Sequence, residues 1–196
     1  MNNKLDTERL DNLMKDVWKI ACGHGWHDKP ISRYQYLALV MTEVAEAIEA
    51  DRNGRRADTK RMETCVDSLD VSTKEGKIKQ LVFKEYYHAH VKGSVEEEFA
   101  DIVIRILDMA QDVHGGDMKW FDHYVLNKNY VIYKGFVDNA YYFIREVLDW
   151  RLMNVNDSVV FMFEWAEYLG IDLWQHIEWK MKYNELRPYK HGGKKY

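Results

Sequence analysis

Apolar residues recur at helical spacing along almost the whole chain. The first segment shows the three-and-four rhythm of an amphipathic helix, with one face formed by Leu10, Leu13, Met14, Val17 and Ala21. This rhythm predicts a helix from about Leu5 to Cys22, which Gly23 ends. Alternating apolar and polar positions are rare, and the best strand candidate is Tyr130–Phe136. The pattern therefore predicts an all-α chain with long antiparallel helices.

Three capping signals mark where the other long helices begin. In each one a Ser or Asp is followed three residues later by Glu or Gln, and such side chains satisfy unpaired backbone N–H groups. The signals start at Ser32, Ser94 and Asp172. They predict helices that run to about Arg52, His114 and Leu186.

The remaining segments carry weaker patterns. Shorter helices are predicted over 118–127, 138–152 and 158–169, and a further one around 78–89 ends at Gly93. Residues 55–75 are polar and weakly patterned, so they are predicted to be mostly loop. Since the sequence has no internal repeat and no low-complexity linker, residues 1–196 are expected to form a single domain.

The composition fits a globular protein with a sizeable core: of 196 residues, 46% are hydrophobic and 31% are charged, with a net charge of −4. The negative charge argues against a general nucleic-acid binder. No run of 18 apolar residues supports a membrane span, and the polar N-terminus does not resemble a signal peptide. Cys22 and Cys65 lack the spacing of a metal or disulfide site. We therefore expect a cytoplasmic protein without nucleic-acid or membrane partners.

The most informative motifs are two pairs of acidic residues, each spaced by three. Glu43 and Glu46 lie on the helix from Ser32, and Glu98 and Asp101 lie on the helix from Ser94. Residues spaced in this way share one helix face. The first helix has its main apolar stripe at Leu37, Val40, Met41, Val44 and Ile48. The acids of the second helix form a seam opposite Phe99, Ala100, Val103, Ile106, Leu107 and Ala110.

Two interpretations of these acids stay open on physical grounds. Acidic pairs are common on solvated helix faces. However, Leu39 and Ile104 lie beside the acids, which suggests that these faces are also covered by neighbouring helices. If the two pairs face each other, they form an all-oxygen site suited to Mg²⁺ or Mn²⁺.

Three segments together resemble the MazG-like, all-α nucleoside triphosphate pyrophosphohydrolases. The segment 37–55, with Glu43-Val-Ala-Glu46, resembles the first motif helix of that superfamily, and 95–108, with Glu98 and Asp101, resembles the second. The stretch 169–194 is similar to the closing helix and tail. The resemblance implies a helical bundle with long antiparallel motif helices and inserted extra helices. The expected insertions lie at about 55–93 and 116–156.

The resemblance also implies the reaction and the residues that carry it. The expected reaction hydrolyses a nucleoside triphosphate to a monophosphate and pyrophosphate, with Mg²⁺, or alternatively Mn²⁺, held by Glu43, Glu46, Glu98 and Asp101. Glu46 is the candidate for the residue nearest the attacking water; alternatively, Glu46 is a plain metal ligand and Glu43 or Glu49 acts as the base. The family pattern favours Lys180, Asn184 and Arg187 as substrate contacts, and the basic tail adds Lys194.

Three further expectations concern the base, the assembly and other classes of function. Trp26 lies near the first motif helix and is a candidate for stacking on a base. The family commonly completes its sites in oligomers, so a homodimer or homotetramer is expected. One alternative is a helical interaction protein with an acidic partner-binding face. The other is a ferritin-like metal carboxylate protein, because Glu85 and His88 match the Glu-x-x-His element of such bundles.

Overall fold

A computed structural model describes residues 5–70, 76–114, 130, 132–147 and 155–193 of the chain. The helices are α1 (Thr7–Gly23), α2 (Arg33–Arg52), α3 (Thr59–Asp70), α4 (Gly76–His90), α5 (Val95–His114), α6 (Phe136–Tyr142), α7 (Val155–Tyr168) and α8 (Leu173–Glu185). A π-helical turn, Phe143–Val147, continues α6. A final turn, Lys190–Gly193, has positive φ at all four residues. The described residues contain no strand, which confirms the all-α prediction for that part of the chain.

The predicted capping residues start the helices as expected. Ser32 accepts a hydrogen bond from the backbone N–H of Gln35, at 3.2 Å, and Asp172 accepts from that of Gln175, at 3.1 Å. Ser94 accepts from the N–H of Glu97, at 3.2 Å. Each bond satisfies a backbone donor that the first helical turn leaves unpaired. These local bonds fix where α2, α5 and α8 begin.

Helix α5 forms the centre of the fold and packs against α1, α2, α7 and α8. Its predicted core side is fully buried, including Phe99, Val103 and Leu107. Tyr36 of α2 contacts Asp112 of α5, and Glu43 contacts Arg105. The contact that lies later in α2 lies earlier in α5, so the two motif helices run antiparallel. The acidic seam of α5 therefore lies along α2.

The structure corrects three predictions from the sequence. Residues 55–75 are not mostly loop, because α3 occupies Thr59–Asp70. The buried face of α3 is short and packs on α4 and α8 in a second core cluster that includes Met62, Cys65, Leu69, Phe83, Tyr87 and Trp179. The strand candidate Tyr130–Phe136 is wrong in its described residues, since Phe136 begins α6 and the others form no strand. Met41, placed on the apolar stripe of α2, is 43% exposed, because Ala47 and Ala50 face the core instead.

Other predicted elements have mixed outcomes. The helix predicted over 158–169 is α7, and the predicted 138–152 helix corresponds to α6 and its π-helical turn as far as residue 147. The remainder of 138–152 and the helix predicted over 118–127 lie outside the described residues. Among the helices of the described ranges, none combines the length and apolar character needed to cross a bilayer.

Candidate metal centre and substrate cleft

A cleft of about 540 Å³ opens between the loop after α1, helices α2, α5 and α8, and the final turn. Its acidic lining residues are Glu43, Glu46, Asp101 and Asp108. Its basic lining residues are Lys92, Arg105, Lys180, Arg187 and Lys190, of which Arg105 pairs with Glu43 and Lys180 with Asp101. A cleft with both charges and this volume has the size of a small-molecule site.

Three carboxylates from the two motif helices meet beside the cleft, and two of them, Glu43 and Glu46, line it. One oxygen each of Glu43, Glu46 and Glu98 lies within 4.8 Å of the other two. Glu43 and Glu98 are buried, with Glu98 only 5% exposed, whereas Glu46 is exposed at the mouth. The structure thus brings together three of the four predicted metal ligands.

Burial and mutual repulsion disfavour the charged forms of this cluster. Burial raises the pKa of Glu98 to about 9, and the charges of Asp101, Glu97 and Glu46 add to the effect. Burial also raises the pKa of Glu43 to about 7, reinforced by Asp101 and opposed by the guanidinium of Arg105. Carboxylates in such a setting bind either protons or a cation.

The donor set fits a hard divalent cation. It consists only of carboxylate oxygens, which Mg²⁺ and Mn²⁺ prefer. Two oxygens on opposite sides of one Mg²⁺ lie about 4 Å apart, so a cluster within 4.8 Å has the size that one ion spans. A cation there would stabilise the ionised forms of Glu43 and Glu98.

Asp101, the fourth predicted ligand, lies outside the three-carboxylate cluster. Its Oδ2 is 2.5 Å from Nζ of Lys180. The same ammonium donates to Oε1 of Glu97, at 2.6 Å, and Lys180 is only 3% exposed. Glu97 also accepts from the backbone N–H of Gly93. Lys180, predicted as a substrate contact, therefore neutralises two acids beside the cleft.

Three other predicted substrate residues line the cleft. Asn184 has an Oδ1 that is buried and has no hydrogen-bond partner among the described residues. Arg187 is half-buried next to it, and Trp26 lies edge-on to the ring of His191, with ring centroids 5.1 Å apart. Lys194 lies outside the described residues.

The final turn closes over one side of the cleft by contacts with the loop after α1. The Tyr189 hydroxyl donates to Asp28, and the backbone N–H of Lys190 donates to the carbonyl of His24 at 3.0 Å. Gly25, with φ of 78°, lies so close to the Tyr189 ring that any Cβ at this position would overlap it. These contacts bring Lys190 to the cleft.

The opposite end of the cleft holds a polar network that the sequence did not predict. His27 donates from Nε2 to Oδ1 of Asp108, at 2.8 Å, and its Nδ1 is 3.5 Å from Oδ1 of Asp112. The Tyr36 hydroxyl donates to Oδ2 of Asp112, at 2.9 Å. Asp108 follows Asp101 by seven residues and therefore lies on the same face of α5. This spacing was the sequence signal that could have placed Asp108 in the site.

Comparison with protein-family models, curated proteins and solved structures found no match for the chain. The two residues of the ferritin-like element, Glu85 and His88, are exposed on α4 and do not line the cleft. Conclusions about function therefore depend on the geometry of the cleft.

Proposed function

We propose that this chain is a Mg²⁺- or Mn²⁺-dependent nucleoside triphosphate pyrophosphohydrolase of the MazG-like class. The observation that carries the proposal is the cluster of Glu43, Glu46 and Glu98, because its oxygens lie within 4.8 Å of one another beside a cleft that basic side chains also line. Acids and bases so arranged suit a polyanion that binds together with a cation. The resemblance of the two motif helices points to the same class.

Charge balance explains why both acidic and basic residues are needed. A triphosphate carries about four negative charges, which the acids alone would repel. When bound, the divalent ion would supply positive charge to the phosphate oxygens beside the acids. Arg187 and Lys190 also line the cleft and bind phosphate oxygens directly. Lys180 acts differently, since it holds Asp101 in place through their ion pair.

Glu46 orients and deprotonates the water, and Glu43 is the second candidate for this role. Glu46 is exposed to solvent beside the cleft, whereas Glu43 is buried, and a bound cation would keep Glu43 ionised. The water oxygen bonds to the α-phosphorus, and the bond from that phosphorus to the bridging oxygen of the β-phosphate breaks. The products are a nucleoside monophosphate, pyrophosphate and one proton.

The sugar is the natural partner of Asn184. Its Oδ1 is a buried acceptor without a hydrogen bond from the described residues. A sugar hydroxyl donates to such an acceptor, whereas a phosphate oxygen does not. Asn184 therefore binds the ribose or deoxyribose between the phosphates and the base.

The test is a screen of canonical, deoxy, methylated and oxidised nucleoside triphosphates with Mg²⁺ or Mn²⁺, with products identified by phosphorus NMR. We expect pyrophosphate as the first product and no turnover in EDTA. Orthophosphate as the first product, or no turnover of any nucleotide, would refute the proposal. Titration calorimetry with a non-hydrolysable nucleotide then separates a helical interaction protein from an enzyme, and iron in the purified protein would revive the ferritin-like alternative.

A further inference from the structure

The end of the cleft opposite the three-carboxylate cluster holds a buried hydrogen-bond acceptor. Asp108 is 8% exposed and lines the cleft. Its Oδ1 accepts from Nε2 of His27, at 2.8 Å. A carboxylate accepts more than one hydrogen bond, so Asp108 also offers an acceptor to a ligand in the cleft that supplies an N–H at this point.

Neighbouring groups hold Asp108 in one orientation and favour its accepting form. Burial raises the pKa of Asp108, and the hydrogen bond and charge of His27 oppose that rise. The His27 ring lies between Asp108 and Asp112, and the Tyr36 hydroxyl donates to Asp112. Two ionised carboxylates outweigh one imidazole in either of its protonation states, so this network carries a net negative charge, which favours donors over acceptors.

The distance along α5 matches the length of a nucleotide. Asp108 follows Asp101 by seven residues and Glu98 by ten, which corresponds to about 10 and 15 Å along the helix axis. If the phosphates lie beside the three-carboxylate cluster, the far edge of the base lies beside Asp108. The half-buried Trp26 lines the same cleft and offers a ring face or edge to the base.

We infer that Asp108 is a specificity-determining residue that selects bases with an exocyclic amino group over their keto counterparts. This inference rests on the proposed function and deepens it. An ionised carboxylate only accepts hydrogen bonds, so it pairs with the amino group of cytosine or adenine. The carbonyl oxygen of uracil or hypoxanthine at the same position would face the carboxylate oxygen and leave it unpaired. His27 is the positioning residue, because its hydrogen bond to Oδ1 fixes the orientation of the Asp108 carboxylate.

The experiment compares two pairs of substrates that differ only in this group: dCTP with dUTP, and ATP with ITP. We expect the amino member to have the higher kcat/KM, by about 10- to 100-fold, in at least the better-accepted pair. Affinities of the α,β-imido analogues of dCTP and dUTP, measured by calorimetry, should show the same preference without turnover.

The key variant is Asp108→Asn, whose amide presents either an acceptor or a donor. It should reduce the preference to within about threefold. Asp51→Asn, which changes a carboxylate of α2 outside the cleft, should keep the wild-type preference. The wild-type comparison needs no variant, so poor folding of Asp108→Asn leaves the inference testable.

The outcomes separate this inference from the proposed function. Turnover without an amino preference, or a preference that Asp108→Asn retains in full, would overturn the role of Asp108 and leave the pyrophosphohydrolase proposal standing. Amino-selective binding without turnover would support the role of Asp108 and overturn the proposed reaction. If no nucleotide binds or reacts, both are wrong.

Discussion

Replacing Lys180 by Met should destabilise the protein strongly, because it leaves two acids without their cation. The ammonium of Lys180 lies 2.6 Å from Oε1 of Glu97 and 2.5 Å from Oδ2 of Asp101. Lys180 and Glu97 are both almost fully buried. Met preserves most of the side-chain volume, so the change removes charge and leaves packing nearly intact.

The expected loss is about 3–5 kcal/mol, the usual cost of removing one partner of a buried ion pair. The Tyr87 hydroxyl, the Gly93 N–H and the Lys92 ammonium still contact Glu97, which favours the lower half of that range. For a chain of 196 residues, a loss of this size lowers the melting temperature by roughly 10 °C.

The assay is urea denaturation of the wild type and Lys180→Met between pH 5 and pH 8. Burial raises the pKa of Glu97, but the charge of Lys180 outweighs it, so the net shift is downward. In the variant that pKa rises above its unfolded value, so Glu97 takes up a proton as the pH falls and its penalty is relieved. The stability deficit should therefore shrink by about 1 kcal/mol or more from pH 8 to pH 5.

Lys182→Met on the same helix is the matched control. Lys182 is exposed, and its loss should change stability by only about 0.5 kcal/mol. Adding Glu97→Gln to Lys180→Met should recover part of the deficit. A Lys180→Met protein as stable as the wild type, or a deficit that is the same at pH 5 and pH 8, would refute this account of the ion pair.

Four further predictions test the site and the assembly. Glu46→Gln should lower kcat by orders of magnitude while stability stays near wild type; full activity with unchanged Mg²⁺ dependence would contradict the site assignment. In steady-state kinetics, Arg187→Met should raise KM by a larger factor than it lowers kcat. An equal fall in kcat and kcat/KM would instead mean that Arg187 contacts only the transition state. Without divalent cations, the free energy of unfolding should fall as pH rises from about 4.5 towards 9, because folded Glu98 keeps a proton that the unfolded chain releases. Compared with the wild type in EDTA, the free energy of unfolding should change less with pH for Glu98→Gln in EDTA and for the wild type saturated with Mg²⁺. An equal pH dependence in all three cases would disprove this. Tyr34, 74% exposed, and Met41 on α2 give the predicted dimer an apolar surface, and a monomeric mass in light scattering would argue against it.

Much of the frame of the site followed from local sequence signals. Ser32, Ser94 and Asp172 cap α2, α5 and α8 through bonds to residues three positions later, and these bonds depend on no distant neighbour. Spacing by three placed Glu43 beside Glu46 and Glu98 beside Asp101 on their helices. For the same reason the buried side of α5 was predictable.

The contacts between helices could not be predicted, because they depend on how the helices pack. Helix α3 escaped prediction because its few apolar residues gain burial only against α4 and α8. Lys180 was predicted as a substrate contact, and only the approach of α8 to α5 decided that it pairs with Glu97 and Asp101. The pKa values of Glu43 and Glu98 arise from burial and from acids on a facing helix. The sequence thus determined the helix starts and the residues that share a face, because those depend on bonds within one or two turns. The tertiary structure alone decided which charges meet across the cleft, because that depends on how the helices pack.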